Sequence, residues 1–269
     1  MIDRVIEIAE DAGRLIQAVR EKGFEVEQKG TQGPVTEADR AADELLRTLL
    51  LALDGCGWLS EETADDNRRL QQERLWVVDP LDGTKEFVKG IPEYSVAIGL
   101  VENGMAILGV VHNPSTGDTY SASRGAGAFK NGDPIEVAEG RRLLASRSEI
   151  KRGEFEAFAS DWDVVPAGSI EHKLALIGAG EAGVTFSRGP KWEWDVCAGA
   201  VIVEEAGGVA SDLFGDPLTF NKPFPKVKGI LAGAPEVYQA ALQALRDVGA
   251  SDRMNEFDDL PSGSQATLQ

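Results

Sequence analysis

The segment with the sequence DPLDGT contains two carboxylates three residues apart, Asp79 and Asp82. It continues the apolar run 74–80, which is closed by a proline and is typical of a buried strand. Carboxylates held close together repel each other unless a cation neutralises them. The two residues that end the segment, Gly83 and Thr84, begin a helical turn whose free backbone N–H groups can bind a phosphate. These residues predict a site for metal ions and phosphate at the end of a strand.

Two further segments carry acidic residues near a tryptophan. The first, 58–62 (WLSEE), precedes the DPLDGT segment, and the second begins with Trp194 and Asp195 and ends at 205–208 (EAGG). These three motifs, in this order over nearly all of the chain before residue 251, resemble the inositol monophosphatase superfamily of lithium-sensitive, magnesium-dependent phosphatases. The resemblance implies an α/β fold, a layered αβαβα sandwich of the inositol monophosphatase and fructose-1,6-bisphosphatase type.

The resemblance also implies that four acidic side chains and one backbone carbonyl bind two Mg²⁺ ions, with a third, looser ion near Glu61. Glu61, Asp79 and the carbonyl group of Leu81 would bind one ion. Asp79, Asp82 and Asp195 would bind the other. All of these ligands are hard oxygen atoms, which suits Mg²⁺ and excludes a thiolate-type zinc site. Each acid has an ordinary structural explanation as a surface charge, turn former or helix cap, but their spacing as a set favours metal binding.

Three residues are implied to act in catalysis: Asp39, Thr84 and Glu61. Asp39 and Thr84 resemble the family pair that orients the attacking water, with the threonine hydroxyl donating its hydrogen bond to the carboxylate. The reaction would be direct in-line attack by metal-activated water, without a phosphoenzyme. Asp39 has an alternative explanation, because the helix dipole favours an acidic residue in the first turn of a helix.

The resemblance places five residues at the substrate: Gly83, Thr84, Ser169, Lys173 and Arg188. Ser169 and Lys173 lie in a segment that resembles the substrate-facing loop and helix start of the family. Arg188 falls in the region where inositol monophosphatases place a glutamate that binds a substrate hydroxyl. A cation there favours a second phosphate group on the substrate, because a guanidinium matches the geometry of phosphate.

Residues 85–87, with the sequence KEF, indicate the branch of the superfamily. They resemble the CysQ-type 3′(2′),5′-bisphosphate nucleotidases, whereas inositol monophosphatases more often have Thr-Asn-Phe. We therefore expect hydrolysis of adenosine 3′,5′-bisphosphate to AMP and phosphate. Inositol 1-phosphate or another sugar phosphate is the alternative substrate. A catalytically silent sensor of metal or nucleotide is a third interpretation, but such a protein would be expected to lack a ligand, and the sequence retains all of them.

The composition limits the classes of partner. The formal net charge is −18, which argues against binding to a nucleic-acid polymer, because such binding depends on Lys and Arg neutralising phosphates. No apolar run reaches the ~18 residues that cross a bilayer, and the N-terminus lacks the basic and apolar blocks of a secretory signal. Cys56 and Cys197 have no metal-binding or redox spacing. We expect a cytoplasmic monomer or homodimer whose partner is a small phosphorylated metabolite.

Hydrophobic periodicity divides the chain into two expected subdomains. Residues 1–135 begin with an amphipathic helix and a second helix capped by Thr36, and they continue as an antiparallel meander. Residues 136–250 alternate helices with short strands, and one of these helices is predicted over 195–206. The polar segment 251–269 is expected to be a disordered tail.

Overall fold

The computed structural model describes residues 1–28 and 34–249. Within these ranges, helices and two larger sheets alternate in five layers, as the α/β sandwich expected from the sequence. Helices α1 and α2 cover one face of a seven-stranded sheet, α5 and α6 lie between this sheet and a five-stranded sheet, and α7 covers the far side. None of the helices in the described ranges is long and apolar enough to span a membrane.

The N-terminal part of the chain forms three helices and nine strands within the described residues. These are α1 (Ile2–Lys22), β1 (Val26–Gln28), β2 (Pro34–Thr36), α2 (Glu37–Leu53), β3 (Gly57–Ser60), β4 (Arg74–Asp82), α3 (Thr84–Lys89), β5 (Ser95–Glu102), β6 (Met105–His112), β7 (Thr119–Ser123), β8 (Gly127–Lys130) and β9 (Asp133–Ile135).

The C-terminal part, up to residue 249, forms four helices and seven strands. These are β10 (Arg142–Ala145), α4 (Arg147–Lys151), β11 (Asp163–Pro166), α5 (Ile170–Gly178), β12 (Val184–Ser187), β13 (Lys191–Trp192), α6 (Cys197–Glu205), β14 (Val209–Ser211), β15 (Lys226–Val227), β16 (Ile230–Gly233) and α7 (Pro235–Asp247). Short 3₁₀-helices occupy Arg68–Gln71, Glu156–Phe158 and Glu193–Asp195.

The predicted cap of α2 is present. The Thr36 side chain accepts a hydrogen bond from the backbone N–H of Ala38 at 3.2 Å, and the Asp39 carboxylate accepts one from the backbone N–H of Thr36 at 2.7 Å. This capping box satisfies donors that a helix N-terminus otherwise leaves without partners. It also holds the Asp39 side chain at the beginning of α2, which becomes important for the site.

The seven-stranded sheet has the order β3-β4-β5-β6-β7-β8-β9 and is antiparallel except for the parallel pair β3 and β4. The predicted meander is therefore confirmed. Its first turn contains Asn103 and Gly104, which have φ angles of 50° and 80°, as expected for an Asn-Gly hairpin. The predicted end of β4 at Pro80 is wrong, because the strand continues to Asp82 after a register irregularity between Asp79 and Asp82.

The five-stranded sheet has the order β11-β10-β12-β16-β14 and is mixed. Strand β10 pairs in parallel with β11 and β12, while β16 runs antiparallel to β12 and β14. The helix predicted over 195–206 is divided: a 3₁₀-turn ends at Asp195, Val196 leaves helical geometry with φ −138°, and α6 begins at Cys197. Because of this break, Asp195 lies in the turn before α6 and not within the buried helix.

Two glycines bring α6 against the seven-stranded sheet. A Cβ atom at Gly99 would lie 2.5 Å from Sγ of Cys197, and one at Gly109 would overlap the carbonyl group of Ala198. Glycine in a strand interior commonly marks such a close approach of another backbone. The contact fixes the N-terminal end of α6, and with it the position of Asp195.

The two sheets lie on either side of the predicted subdomain boundary, since one ends at Ile135 and the other begins at Arg142. A single apolar cluster nevertheless contains residues of both sheets and of α5 and α6, including Val77, Val201 and Ile230. The two parts therefore share a core. The tail predicted over 251–269 lies outside the described residues.

Candidate active site

The four acidic residues predicted as metal ligands line one cleft of about 430 Å³. Glu61 directly follows β3, and its backbone N–H donates to the carbonyl of Val78 at 3.3 Å. Because β3 and β4 are parallel and in register, Glu61 emerges beside Asp79. Asp82 ends β4, and Asp195 reaches the same cleft from the turn before α6. The fold therefore brings together the four predicted acidic ligands and Leu81.

Asp79 is almost completely buried at the end of β4, with 2% of its surface exposed. Its Oδ1 accepts a hydrogen bond from the backbone N–H of Leu81 at 3.0 Å, as in a tight turn. Burial raises the pKa of Asp79 well above its ordinary value, and the nearby charges of Glu61, Asp82 and Asp195 raise it further. A cation in the cleft would neutralise this negative charge and lower the pKa values of the carboxyl groups.

Asp82 is anchored from the opposite side of the cleft. Its Oδ2 accepts hydrogen bonds from Ser169 Oγ at 2.6 Å and from the backbone N–H of Glu171 at 2.7 Å. Burial raises the pKa of Asp82, while these hydrogen bonds and the charge of Lys173 oppose the rise. Ser169 therefore positions a predicted metal ligand in this structure, in addition to lining the cleft.

Asp195 is held by a hydrogen bond from the backbone N–H of Trp192 to its Oδ2 at 2.8 Å. Burial raises the pKa of Asp195 to about 7, the positive charge of Lys191 lowers it, and the negative charge of Asp82 raises it. Lys191 itself lines the cleft. One cation of the protein thus already lies near the carboxylates.

The chemistry of these donors fits a hard divalent cation such as Mg²⁺, because they are carboxylate and carbonyl oxygen atoms. Within residues 1–28 and 34–249, however, no three acidic, histidine or cysteine side chains lie close enough together to hold one ion. One oxygen of Asp82 is directed to Ser169 and the backbone of Glu171. The donor atoms therefore line the same cleft, but they are not arranged as a preformed binding site for one ion.

The predicted catalytic pair is in direct contact. Thr84 Oγ1 donates to Asp39 Oδ1 at 2.9 Å, and the carbonyl oxygen of Leu81 lies 3.1 Å from the same hydroxyl. Asp39 is 2% exposed. Burial raises the pKa of Asp39, although the hydrogen bonds from Thr36 and Thr84 oppose the rise. A buried carboxylate bonded to a hydroxyl in the cleft is well placed to accept a proton through that hydroxyl.

Three of the five predicted substrate contacts line the cleft, namely Gly83, Thr84 and Ser169. Gly83 has φ 96°, and a Cβ atom there would lie 2.9 Å from the carbonyl oxygen of Glu93. Only glycine fits this position without strain, because both the backbone angle and the space exclude a side chain.

Lys173 and Arg188 do not line the cleft. Lys173 is fully buried on α5, where its Nζ donates to Ser146 Oγ at 2.9 Å. Burial lowers the pKa of Lys173 to about 8. Arg188 follows β12, and its Nε is buried without a hydrogen-bond partner in the described part of the chain. The expected direct contact of either side chain with a ligand therefore has no support in this geometry.

The sequence analysis missed several polar residues of the cleft. The missed group consists of Lys89, Ser146, Arg147, Ser148, Lys151 and Lys191, whereas Lys85 and Glu86 had been considered only as part of the KEF sequence. The missed residues belong to no motif and come from three separate parts of the chain. Lys191 alone had a local signal, since it lies four residues before Asp195.

The family model described as inositol monophosphatase family matches residues 1–250. A histidinol-phosphatase of Chlorobaculum parvum is 35% identical, covering 78% of this chain and 85% of the relative. The 3′(2′),5′-bisphosphate nucleotidase CysQ of Aggregatibacter actinomycetemcomitans is 30% identical, covering 82% and 88%. The solved IMPase structure of Thermotoga maritima superposes with a TM-score of 0.81 at 28% identity, covering 94% and 98%.

The chain therefore belongs to the inositol monophosphatase family and is a phosphoric monoester hydrolase of that family. Relatives named for different substrates have similar levels of sequence identity to this chain. The comparisons therefore establish the family but do not identify the substrate.

Proposed function

We propose that this chain is a Mg²⁺-dependent phosphomonoesterase that hydrolyses 3′(2′),5′-bisphosphate nucleotides, converting adenosine 3′,5′-bisphosphate to AMP and phosphate. The observation that carries the proposal is the hydrogen bond from Thr84 to the buried Asp39, beside a cleft lined by the four predicted acidic metal ligands. The nucleotide preference is supported by the KEF sequence at 85–87 and by the similarity to a CysQ protein.

The residues that would hold the Mg²⁺ ions are Glu61, Asp79, Leu81 through its carbonyl group, Asp82 and Asp195. When bound, the ions supply an activated water and stabilise charge on the entering and leaving oxygen atoms. Gly83 and Thr84, at the beginning of α3, are the proposed contacts of the phosphate that is hydrolysed.

Thr84 orients the attacking water in this proposal. Its hydroxyl proton is directed to Asp39, so the threonine oxygen remains free to accept a hydrogen bond from the water. As the water oxygen bonds to phosphorus, the P–O bond to the 3′-oxygen of the nucleotide breaks, one water proton passes to Thr84 and the threonine proton passes to Asp39. The released 3′-oxygen takes up a proton from solvent water. The raised pKa of the buried Asp39 favours this transfer. Glu61, beside Asp79, is the third residue proposed to assist the attack.

The proposal is tested by the release of inorganic phosphate from a panel of substrates under saturating Mg²⁺. The panel contains adenosine 3′,5′-bisphosphate, inositol 1-phosphate, histidinol phosphate and fructose 1,6-bisphosphate. We expect the highest kcat/KM for the adenosine bisphosphate, with attack at the 3′-phosphate and retention of the 5′-phosphate. A higher kcat/KM for inositol 1-phosphate would replace the proposed substrate by the sugar phosphate alternative, and no phosphate release from any substrate would contradict phosphatase activity.

A further inference from the structure

The lining of the cleft also carries an unexpected concentration of cations. Two short helices contribute to it, and each presents two basic residues four positions apart. Lys85 and Lys89 belong to α3, while Arg147 and Lys151 belong to α4, and all four line the cleft. Side chains four positions apart lie on the same face of a helix, so both helices turn a basic face towards the same space.

This concentration is not a consequence of composition. The chain has 45 acidic and 27 basic residues, so a surface chosen at random would carry excess negative charge. Exposed lysines are individually ordinary. Two helices far apart in sequence nevertheless place their basic faces at the one cleft that also holds the candidate catalytic residues.

Arg147 has a structural partner. Its guanidinium pairs with both oxygen atoms of Glu93, one of them at 2.9 Å, and Glu93 also accepts the backbone N–H of Gly168 at 2.6 Å. The guanidinium thus ties α4 to the loop that carries Ser169. This pair holds the wall of the cleft together and leaves Arg147 partly neutralised.

The lysines differ from Arg147 in this respect. Lys85, Lys89 and Lys151 are exposed and form no ion pair with the described residues. Glu86 lies between Lys85 and Lys89 in the chain and also lines the cleft, and burial and the charge of Asp82 raise its pKa while the charges of Arg147 and Lys89 lower it. Three ammonium groups therefore line the cleft without an ion-pair partner among the described residues.

We propose that Lys85, Lys89 and Lys151 form a subsite for a second phosphate group of the substrate, which is retained during the reaction. The proposal rests on the proposed function, because it takes the carboxylate end of the cleft as the place of hydrolysis. A cleft of about 430 Å³ lies within the range of small-molecule sites. Ammonium groups bind phosphate as point charges, and a cationic wall attracts a dianion into an otherwise acidic protein. This subsite replaces the expected role of Arg188.

The double variant Lys85→Gln/Lys151→Gln tests the subsite by comparing substrates that differ only in the second phosphate. The pairs are adenosine 3′,5′-bisphosphate with adenosine 3′-monophosphate, and fructose 1,6-bisphosphate with fructose 1-phosphate. In at least one pair, we expect the ratio of kcat/KM values, bisphosphate over monophosphate, to fall about tenfold or more, as when a hydrogen bond to a charged group is lost. A decrease for the adenosine pair would indicate a nucleotide substrate, and a decrease for the fructose pair would indicate a sugar phosphate.

The matched control is Lys22→Gln/Arg68→Gln, which removes the same charge at exposed positions outside the cleft. This control is expected to leave both ratios unchanged. Equal losses for bisphosphate and monophosphate in the cleft variant, or the same fall in the control, would overturn the subsite while leaving the phosphatase assignment intact.

A binding measurement separates the subsite from catalysis. In the wild-type protein, in the presence of EDTA, we expect titration calorimetry to give tighter binding of AMP, with its 5′-phosphate, than of adenosine. This difference should disappear in Lys85→Gln/Lys151→Gln and persist in the control. Equal binding of AMP and adenosine to the wild type, together with unchanged ratios in the fructose pair, would refute the subsite. Preferential AMP binding without phosphate release from any substrate would retain the subsite and refute the proposed activity.

Discussion

Asp82 lies at the junction of the two halves of the site. Its carboxylate ends β4 on one side and accepts hydrogen bonds from Ser169 and the backbone of Glu171 on the other. An asparagine can preserve the volume and accept the same hydrogen bonds through its carbonyl oxygen. It cannot supply the negative charge of a metal ligand. The substitution Asp82→Asn therefore separates the structural role of this side chain from the role of its charge.

We expect Asp82→Asn to fold normally and to lose most of its activity. The predicted decrease in kcat is more than about tenfold, which corresponds to over ~1.4 kcal/mol of transition-state stabilisation. Steady-state kinetics and thermal unfolding are the measurements, with Asp161→Asn at an exposed position as the control. A variant that retained more than about a tenth of wild-type kcat would show that the charge of Asp82 is not required.

His112 provides a residue-scale prediction about stability. It is 7% exposed, its Nδ1 lies 2.8 Å from Thr119 Oγ1, and burial together with the charge of Arg14 lowers its pKa to about 4. An unfolded histidine has a pKa of about 6.5. Between these values the unfolded chain binds a proton that the folded chain does not, so the folded state loses stability as the pH falls from about 6.5 to about 4.

The loss of unfolding free energy through this one group is about 3 kcal/mol over that range. Urea unfolding of the wild type and of His112→Asn at pH 7 and pH 4.5 measures it. The variant should be less stable at pH 7 and should lose less stability on acidification, because it lacks the titrating group. The same decrease in both proteins would assign the acid sensitivity to other residues.

At the scale of elements, the approach of α6 to β6 determines where Asp195 lies. Gly109 leaves no room for a side chain against the backbone of Ala198. A Cβ atom there must displace backbone and not a flexible side chain, so relaxation is limited.

We expect Gly109→Ala to lower the free energy of unfolding by about 1–3 kcal/mol and to reduce kcat by moving Asp195 relative to β4. Urea unfolding and steady-state kinetics test both effects. Gly140→Ala is the matched control, because a Cβ atom at Gly140 meets no atom within 4 Å and its φ angle is ordinary. Comparable effects at the two positions would show that the packing of α6 is not the cause.

At the scale of the whole molecule, the net charge of −18 makes the entry of an anionic substrate depend on local cations. Lys85, Lys89 and Lys151 are one source of positive charge in the cleft, and the proposed Mg²⁺ ions would be a second. Without these ions, four of the carboxylates that line the cleft would repel a phosphate.

We therefore expect activity to require Mg²⁺. EDTA should abolish phosphate release, excess Mg²⁺ should restore it, and Ca²⁺ should inhibit because its longer and less regular coordination misplaces the attacking water. Family resemblance adds the expectation that millimolar Li⁺ inhibits. Phosphate release at varied ion concentrations is the measurement, and full activity in saturating EDTA would refute a metal-dependent reaction.

The sequence by itself determined the features that depend on neighbouring residues. The spacing of Val5, Ile8 and Ile16 predicted α1, and Thr36 with Asp39 predicted the cap of α2. The DPLDGT segment predicted the acidic end of a strand followed by a helix. These predictions succeeded because amphipathic period, capping and turn chemistry are set by residues a few positions apart.

Only the tertiary structure decided which distant residues share the cleft. Lys85 and Lys151 belong to different helices, and their approach depends on how the two sheets pack, which no local pattern encodes. The same packing buried Lys173 behind Ser146 and left Arg188 outside the cleft. The physical reason is that distances between remote residues follow from strand order and helix packing, whereas residue type and spacing specify only the chemistry that each element carries.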